Sequence, residues 1–142
     1  MKILGLDIGD QWVGIAISDA LGMFARPYTT ITAAELETHL EPIITKEHIS
    51  TVIIGYPKTM RGTISEQTKK IEDIKAHLEQ KTPSIQWILW DERLSSKRAD
   101  TLRHAKTKEE KIKSHAIAAA FILTSHLEYL AMQKMMNSNE EI

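Results

Sequence analysis

The sequence predicts an α/β domain, a mixed five-stranded sheet flanked by helices. Three observations carry this. The opening part of the chain holds strand-like apolar runs separated by turn residues. Short β-branched runs then alternate with stretches whose apolar residues recur at helical spacing. The chain finishes on an alanine-rich stripe that suits a helix lying close against a sheet.

Lys2 to Asp7 reads as the first strand, and Gly9 with Asp10 supplies a turn. "WVGIAIS" returns as the second strand of a hairpin. "FARPYTTI" is the third strand, with Pro27 suiting a sheet edge or a strand irregularity. Residues 33 to 47 place Leu36, Leu40, Ile43 and Ile44 at helical spacing, and Pro42 is expected to bend or divide that helix. "TVIIGYP" has the look of a buried central strand ending at Gly55 and Pro57, before the polar loop "KTMRGT". Thr63 and Glu66 have capping-box spacing, and Gln67, Ile71, Ile74 and Leu78 mark one stripe of the next helix. "IQWILW" is the fifth strand and stops at "DERLSS", where Ser95 or Ser96 is placed to cap a short helix. The last helix runs from about Ile112 to Leu130, with Ala116, Ala119, Ala120, Leu123 and Leu127 buried. Residues 1–131 are expected to form the domain and 132–142 a flexible tail. A meander followed by β-α-β crossovers is the layout of an RNase H-like fold.

Composition narrows the chemistry. The chain has 142 residues, enough for one domain with a proper core. With 42% hydrophobic and 26% charged residues it has the balance of an ordinary globular protein. It contains no cysteine, which excludes disulfides, thiolate metal sites and cysteine nucleophiles. There is no membrane-spanning run and no signal-peptide pattern, so a cytoplasmic location and no membrane partner are expected. The net charge of −1 gives no global basic field. Basic residues outnumber acids in "KRADTLRHAKTKEEKIK", residues 97–113, a segment that reads either as a phosphate contact or as an ordinary solvated helix and loop.

Asp7, between Leu6 and Ile8, puts a carboxylate into a strand that otherwise reads as buried. A buried carboxylate is costly without a partner or a metal, although aspartates also cap turns. "WDERL" sets Asp91 and Glu92 where the fifth strand leaves the sheet, and neighbours on an extended chain face opposite ways. Glu92 is favoured on the Asp7 side, with Asp91 capping or contacting backbone. Two carboxylates brought together repel unless a cation sits between them, and Mg²⁺ suits an open oxygen-lined site. A pair of such ions allows in-line phosphodiester hydrolysis.

"GLDIGDQWVGIAISD", "IIGYPKTMRGT", "WDERLSS" and "HAIAAAFILTSHLE" stand in the order seen in the YqgF (RuvX) family, and the chain resembles that family over about residues 2–130. These are pre-16S rRNA nucleases related to the RuvC Holliday-junction resolvases. The resemblance implies an RNase H-like fold, metal-dependent phosphodiester cleavage with Mg²⁺ or Mn²⁺, and trimming of the 5′ end of the 16S rRNA precursor. It implies RNA as partner, with structured DNA and ribosomal assembly intermediates as further candidates, and a monomer or homodimer. By position it carries over Asp7 and Glu92 as catalytic acids and metal ligands. Lys58, Arg61, Arg93, Lys97 and Arg98 are the candidate nucleic-acid contacts.

Three positions depart from the family pattern. Thr59 stands where the family has Asn, and Asp10 where its turn has Thr. The last-helix Asp is replaced by His115, which removes a negative charge and offers a nitrogen ligand that Mn²⁺ or Zn²⁺ accepts more readily than Mg²⁺. Three readings stay open. His115 ligates a metal or handles a proton, Asp10 supplies the missing carboxylate, or the site is weakened and the chain binds nucleic acid or ribosome without cutting. Actin-like and sugar-kinase ATPases share the strand-turn-strand look but need two such domains, and this length supplies one. Trp12, Trp87 and Trp90 read as core or sheet-surface residues rather than base-stacking platforms.

Overall fold

Gly9 turns the chain between two apolar runs, and its N–H donates to the Trp12 carbonyl at 2.9 Å. The turn closes an antiparallel hairpin of β1 (Lys2–Ile8) and β2 (Trp12–Ser18). The computed structural model describes residues 1–56, 66–91 and 106–140. β3 (Ala25–Thr32) continues the meander, and its register against β2 shifts between Ile15 and Ala16, where Pro27 pairs. It is also an edge strand, so the proline has both an edge position and an irregularity. A 3-10 turn at Ala33–Glu35 leads into α1 (Leu36–Lys46). β4 (Ile49–Tyr56), α2 (Glu66–Lys81), β5 (Gln86–Asp91) and α3 (Lys108–Glu140) follow. The sheet order is β3-β2-β1-β4-β5, with β1, β4 and β5 parallel.

Strand alternation sorts side chains into two layers. Leu4, Leu6, Val13, Ile15, Val52 and Ile54 pack with Leu36 and Leu40 of α1 and Ile71 and Leu78 of α2. On the other face Ala16 and Ile53 pack with Ala119, Ile122, Leu123 and Leu127 of α3. Small residues bring α3 very close. A Cβ added to Gly5 would lie 3.0 Å from Leu123 Cβ and 3.2 Å from the Ala119 carbonyl oxygen. Among the described residues no helix is long and apolar enough to cross a membrane.

Three details sharpen the expectation. α1 is not divided at Pro42; Pro42 and Thr38 are both exposed, so water can serve the carbonyl that loses its helical donor. On α2 the fully buried residue of the first turn is Thr68, with Gln67 only half-buried. α3 continues to Glu140, and its residues 131–139 are exposed throughout. The capping position Thr63 and the short helix expected at Ser95 or Ser96 lie outside the described residues.

Candidate active site

Asp7 is 2% exposed near the end of β1. It pairs across the hairpin with Gly14, and Gly14 pairs with Thr30 on β3. Directly opposed residues share a face of the sheet, so Asp7, Gly14 and Thr30 form one row. Gly5, two residues before Asp7, lies on that same face and touches α3.

The first half of α3 crosses this row. A Cβ on Gly14 would stand 1.9 Å from the His115 carbonyl oxygen and 2.2 Å from its carbonyl carbon. Thr30 Oγ1 donates to the Ile112 carbonyl at 2.6 Å. Gly5 meets Ala119 and Leu123, which continue the i, i+4, i+8 stripe that begins at His115. α3 therefore runs antiparallel to β1, and His115 comes level with Asp7. His115 itself is half-buried.

The other acids divide by face. Asp91 pairs with Tyr56, whose side chain belongs to the layer of α1 and α2, so Asp91 lies on the face opposite Asp7. Beside it the Tyr56 hydroxyl donates to the Glu72 carboxylate on α2; that bond, then burial, holds the phenol above its ordinary pKa. The Asp10 side chain is 80% exposed and its carboxylate is 2.9 Å from Lys70 Nζ on α2. Trp87 is buried and donates to the Thr82 carbonyl at 3.1 Å. Trp90 donates to Ser125 Oγ at 3.1 Å and meets the His126 ring edge-on at 4.8 Å. Both rings are engaged inside the fold.

A carboxylate oxygen and an imidazole nitrogen are ligand types that a divalent ion such as Mn²⁺ accepts. Among the described residues no three His, Asp or Glu side chains gather into a metal-holding group. The expected third ligand, Glu92, follows β5 directly and lies outside the described residues, as do Lys58, Arg61, Arg93, Lys97 and Arg98. Asp7 and His115 are of the ligand types such an ion takes, and the sheet row brings the two positions to one level. Gly14 and Thr30 had escaped the sequence reading. The one available signal was a glycine inside a strand, which often marks a close backbone approach.

A mixed β3-β2-β1-β4-β5 sheet, with a buried Asp on β1 facing the last helix, has the architecture of RNase H-like proteins. It is similar to the structure of Thermus thermophilus RuvC in complex with a Holliday junction substrate, at TM-score 0.62 and 14% identity over 93% of this chain and 96% of that one. Residues 1–129 match the family described as "RuvX: Holliday junction resolvase". A protein of Lachnospira eligens named "Putative pre-16S rRNA nuclease" is 39% identical over 137 residues, covering 90% of this chain and 97% of the relative. One of Clostridium botulinum with the same name is 38% identical over 143 residues, covering 92% and 99%. The chain belongs to the RuvX family.

Proposed function

We propose that this protein is a metal-dependent nuclease that hydrolyses phosphodiester bonds in precursor 16S rRNA during 5′-end maturation in the cytoplasm. The observation that carries the reading is Asp7, buried on β1 and brought level with His115 by the contact of Gly14 with α3. Asp7, His115 and Glu92 would hold Mg²⁺ or Mn²⁺, and a bound ion would lower the pKa of a water nucleophile and stabilise the leaving oxygen. Burial of Asp7 keeps bulk water from competing for its oxygens, which strengthens its hold on a cation. His115 would offer a nitrogen donor where a third acid would add negative charge. Asp10 is the weaker ligand candidate because its side chain is 80% exposed and reaches to Lys70 on α2, the helix in the layer opposite Asp7. Lys58, Arg61, Arg93, Lys97 and Arg98 would meet the RNA phosphates. The names of the sequence relatives support rRNA as substrate.

The family description and the RuvC likeness favour one second reading, cleavage of four-way DNA junctions. A resolvase needs a symmetric dimer to cut two strands, whereas a trimming nuclease works as a monomer. The test is single-turnover cleavage of a precursor 16S RNA 5′ fragment and of a four-way junction, each with Mg²⁺, Mn²⁺ or EDTA. Wild type, Asp7→Asn and His115→Asp are compared. RNA cutting that needs the ion and disappears in Asp7→Asn is the expected result. Junction cutting without RNA cutting would transfer the assignment to the resolvase. RNA binding that survives EDTA, with no cutting by any variant, would leave a non-catalytic binding module.

A further inference from the structure

We infer that Thr30 is a positioning residue for the proposed metal site, acting with Gly14 to set the height and register of α3 so that His115 comes level with Asp7. The inference rests on the proposed role of His115 and extends it to two residues that touch no substrate.

The geometry is a three-strand ruler. Asp7, Gly14 and Thr30 occupy one row across β1, β2 and β3. Each meets a different need. Asp7 brings the carboxylate. Gly14 lets the helix backbone come down onto the sheet, since any Cβ there would overlap the His115 carbonyl. Thr30 ties that backbone laterally, its hydroxyl donating to the Ile112 carbonyl at 2.6 Å. Ile112 lies one turn before His115, and its carbonyl also accepts the helical bond from the Ala116 N–H. Ala116 N is the third atom that a Gly14 Cβ would meet, at 2.8 Å. Both sheet contacts therefore fall on the single helical turn that carries His115.

Contact at Gly14 alone fixes only the distance between helix and sheet. It leaves the His115 turn, which precedes the packed residues Ala119, Ile122, Leu123 and Leu127, free to slide or roll locally. The Thr30 hydrogen bond is directional and spans 82 residues of sequence, so it removes that freedom. Metal ligands need placement to within a few tenths of an ångström, and outer partners that orient ligands commonly change metal affinity strongly when removed.

The test uses the full chain with Thr30→Val, which keeps the side-chain shape and removes the hydroxyl, and Thr30→Ser, which restores it. Ile71→Val, in the opposite layer, serves as a control of comparable stability loss. Amide exchange across residues 112–116 is read in the metal-free proteins. Mg²⁺ or Mn²⁺ affinity is read by calorimetry, and the His115 imidazole by NMR during Mg²⁺ titration. Thr30→Val should speed exchange on that turn and weaken ion binding about tenfold. Thr30→Ser and Ile71→Val should bind as wild type does. Wild-type ion affinity in Thr30→Val would overturn the inference, as would an equal loss in Ile71→Val. A wild-type His115 signal that ignores the ion would sink the metal-ligand role itself, and the positioning role with it. Ion binding through His115 that does not respond to Thr30→Val would overturn the positioning role alone.

Discussion

Replacing Gly14 by alanine should lift the first half of α3 off the sheet. The new Cβ would stand 1.9 Å from the His115 carbonyl oxygen, whereas an ordinary contact begins at 3.4 Å, so helix and strand must separate by about 1.5 Å. The obstacle is backbone on both sides, and no rotamer change can relieve it. Overpacking in a well-packed layer costs about 1–3 kcal/mol, and this site belongs at the upper end. Thermal unfolding should then fall by roughly 10 °C for a domain of this size. The functional loss should be larger in proportion, because a misplacement of about 1 Å in a catalytic constellation costs on the order of a hundredfold in rate. Gly5→Ala is the matched comparison. Its Cβ would meet the Leu123 Cβ at 3.0 Å and the Ala119 carbonyl at 3.2 Å, a conflict that shifts of a few tenths of an ångström resolve. It should cost about 1 kcal/mol and leave the rate within about threefold. Thermal melts and single-turnover RNA cleavage measure both effects. A Gly14→Ala protein with wild-type melting and wild-type cleavage would refute the close-contact argument, and so would greater damage from Gly5→Ala.

Three further outcomes follow from other parts of the molecule. His126 is 4% exposed, its Nδ1 has no hydrogen-bond partner among the described residues, and burial lowers its pKa. Its contribution to stability is therefore present above the ordinary histidine pKa and lost as pH falls through the depressed one, so His126→Phe should flatten the decline in melting temperature between about pH 7 and about pH 5. His48 holds φ at 55°, the left-handed region, just past the end of α1. His48→Gly should raise stability by about 0.5 kcal/mol in denaturant titration, a relief of strain partly offset by the freer unfolded chain. Deleting residues 132–142 should lower far-ultraviolet helicity yet move the melting temperature by less than about 2 °C, since residues 131–139 are exposed; a loss of about 10 °C would show that the end of α3 supports the domain.

The hairpin, the central strand and the buried stripe of α3 were legible because each shows its own periodicity over five or more residues. Asp7 was legible for the opposite reason, as a charge that breaks such a pattern. Pro42 left bending and division both open, because which one follows depends on whether the freed carbonyl meets water, a fact of the tertiary structure; α1 is not divided there. The far end of α3 was underestimated because "QKMMNSNE" has no buried stripe to announce a helix. The division of labour between Asp10 and Asp91 was only half visible. Alternation put Asp91 on the far side from Asp7, in agreement with the structure, but nothing local said that Lys70, 60 residues away, would take Asp10. The row of Asp7, Gly14 and Thr30 was hidden altogether. Its members come from three strands whose relative register is set only when the sheet assembles.

The sheet also works as a partition for inheritance. Gly14 and Thr30 meet the helix through its main chain, whatever side chains α1 and α2 place on the other face. Leu36, Leu40, Ile71 and Leu78 can therefore drift among apolar alternatives, altering how firmly the domain holds together while the spacing of Asp7 and His115 stays the same. A lineage can tune its thermal tolerance from the α1 and α2 side of the sheet while the proposed Asp7 and His115 site on the other keeps its spacing.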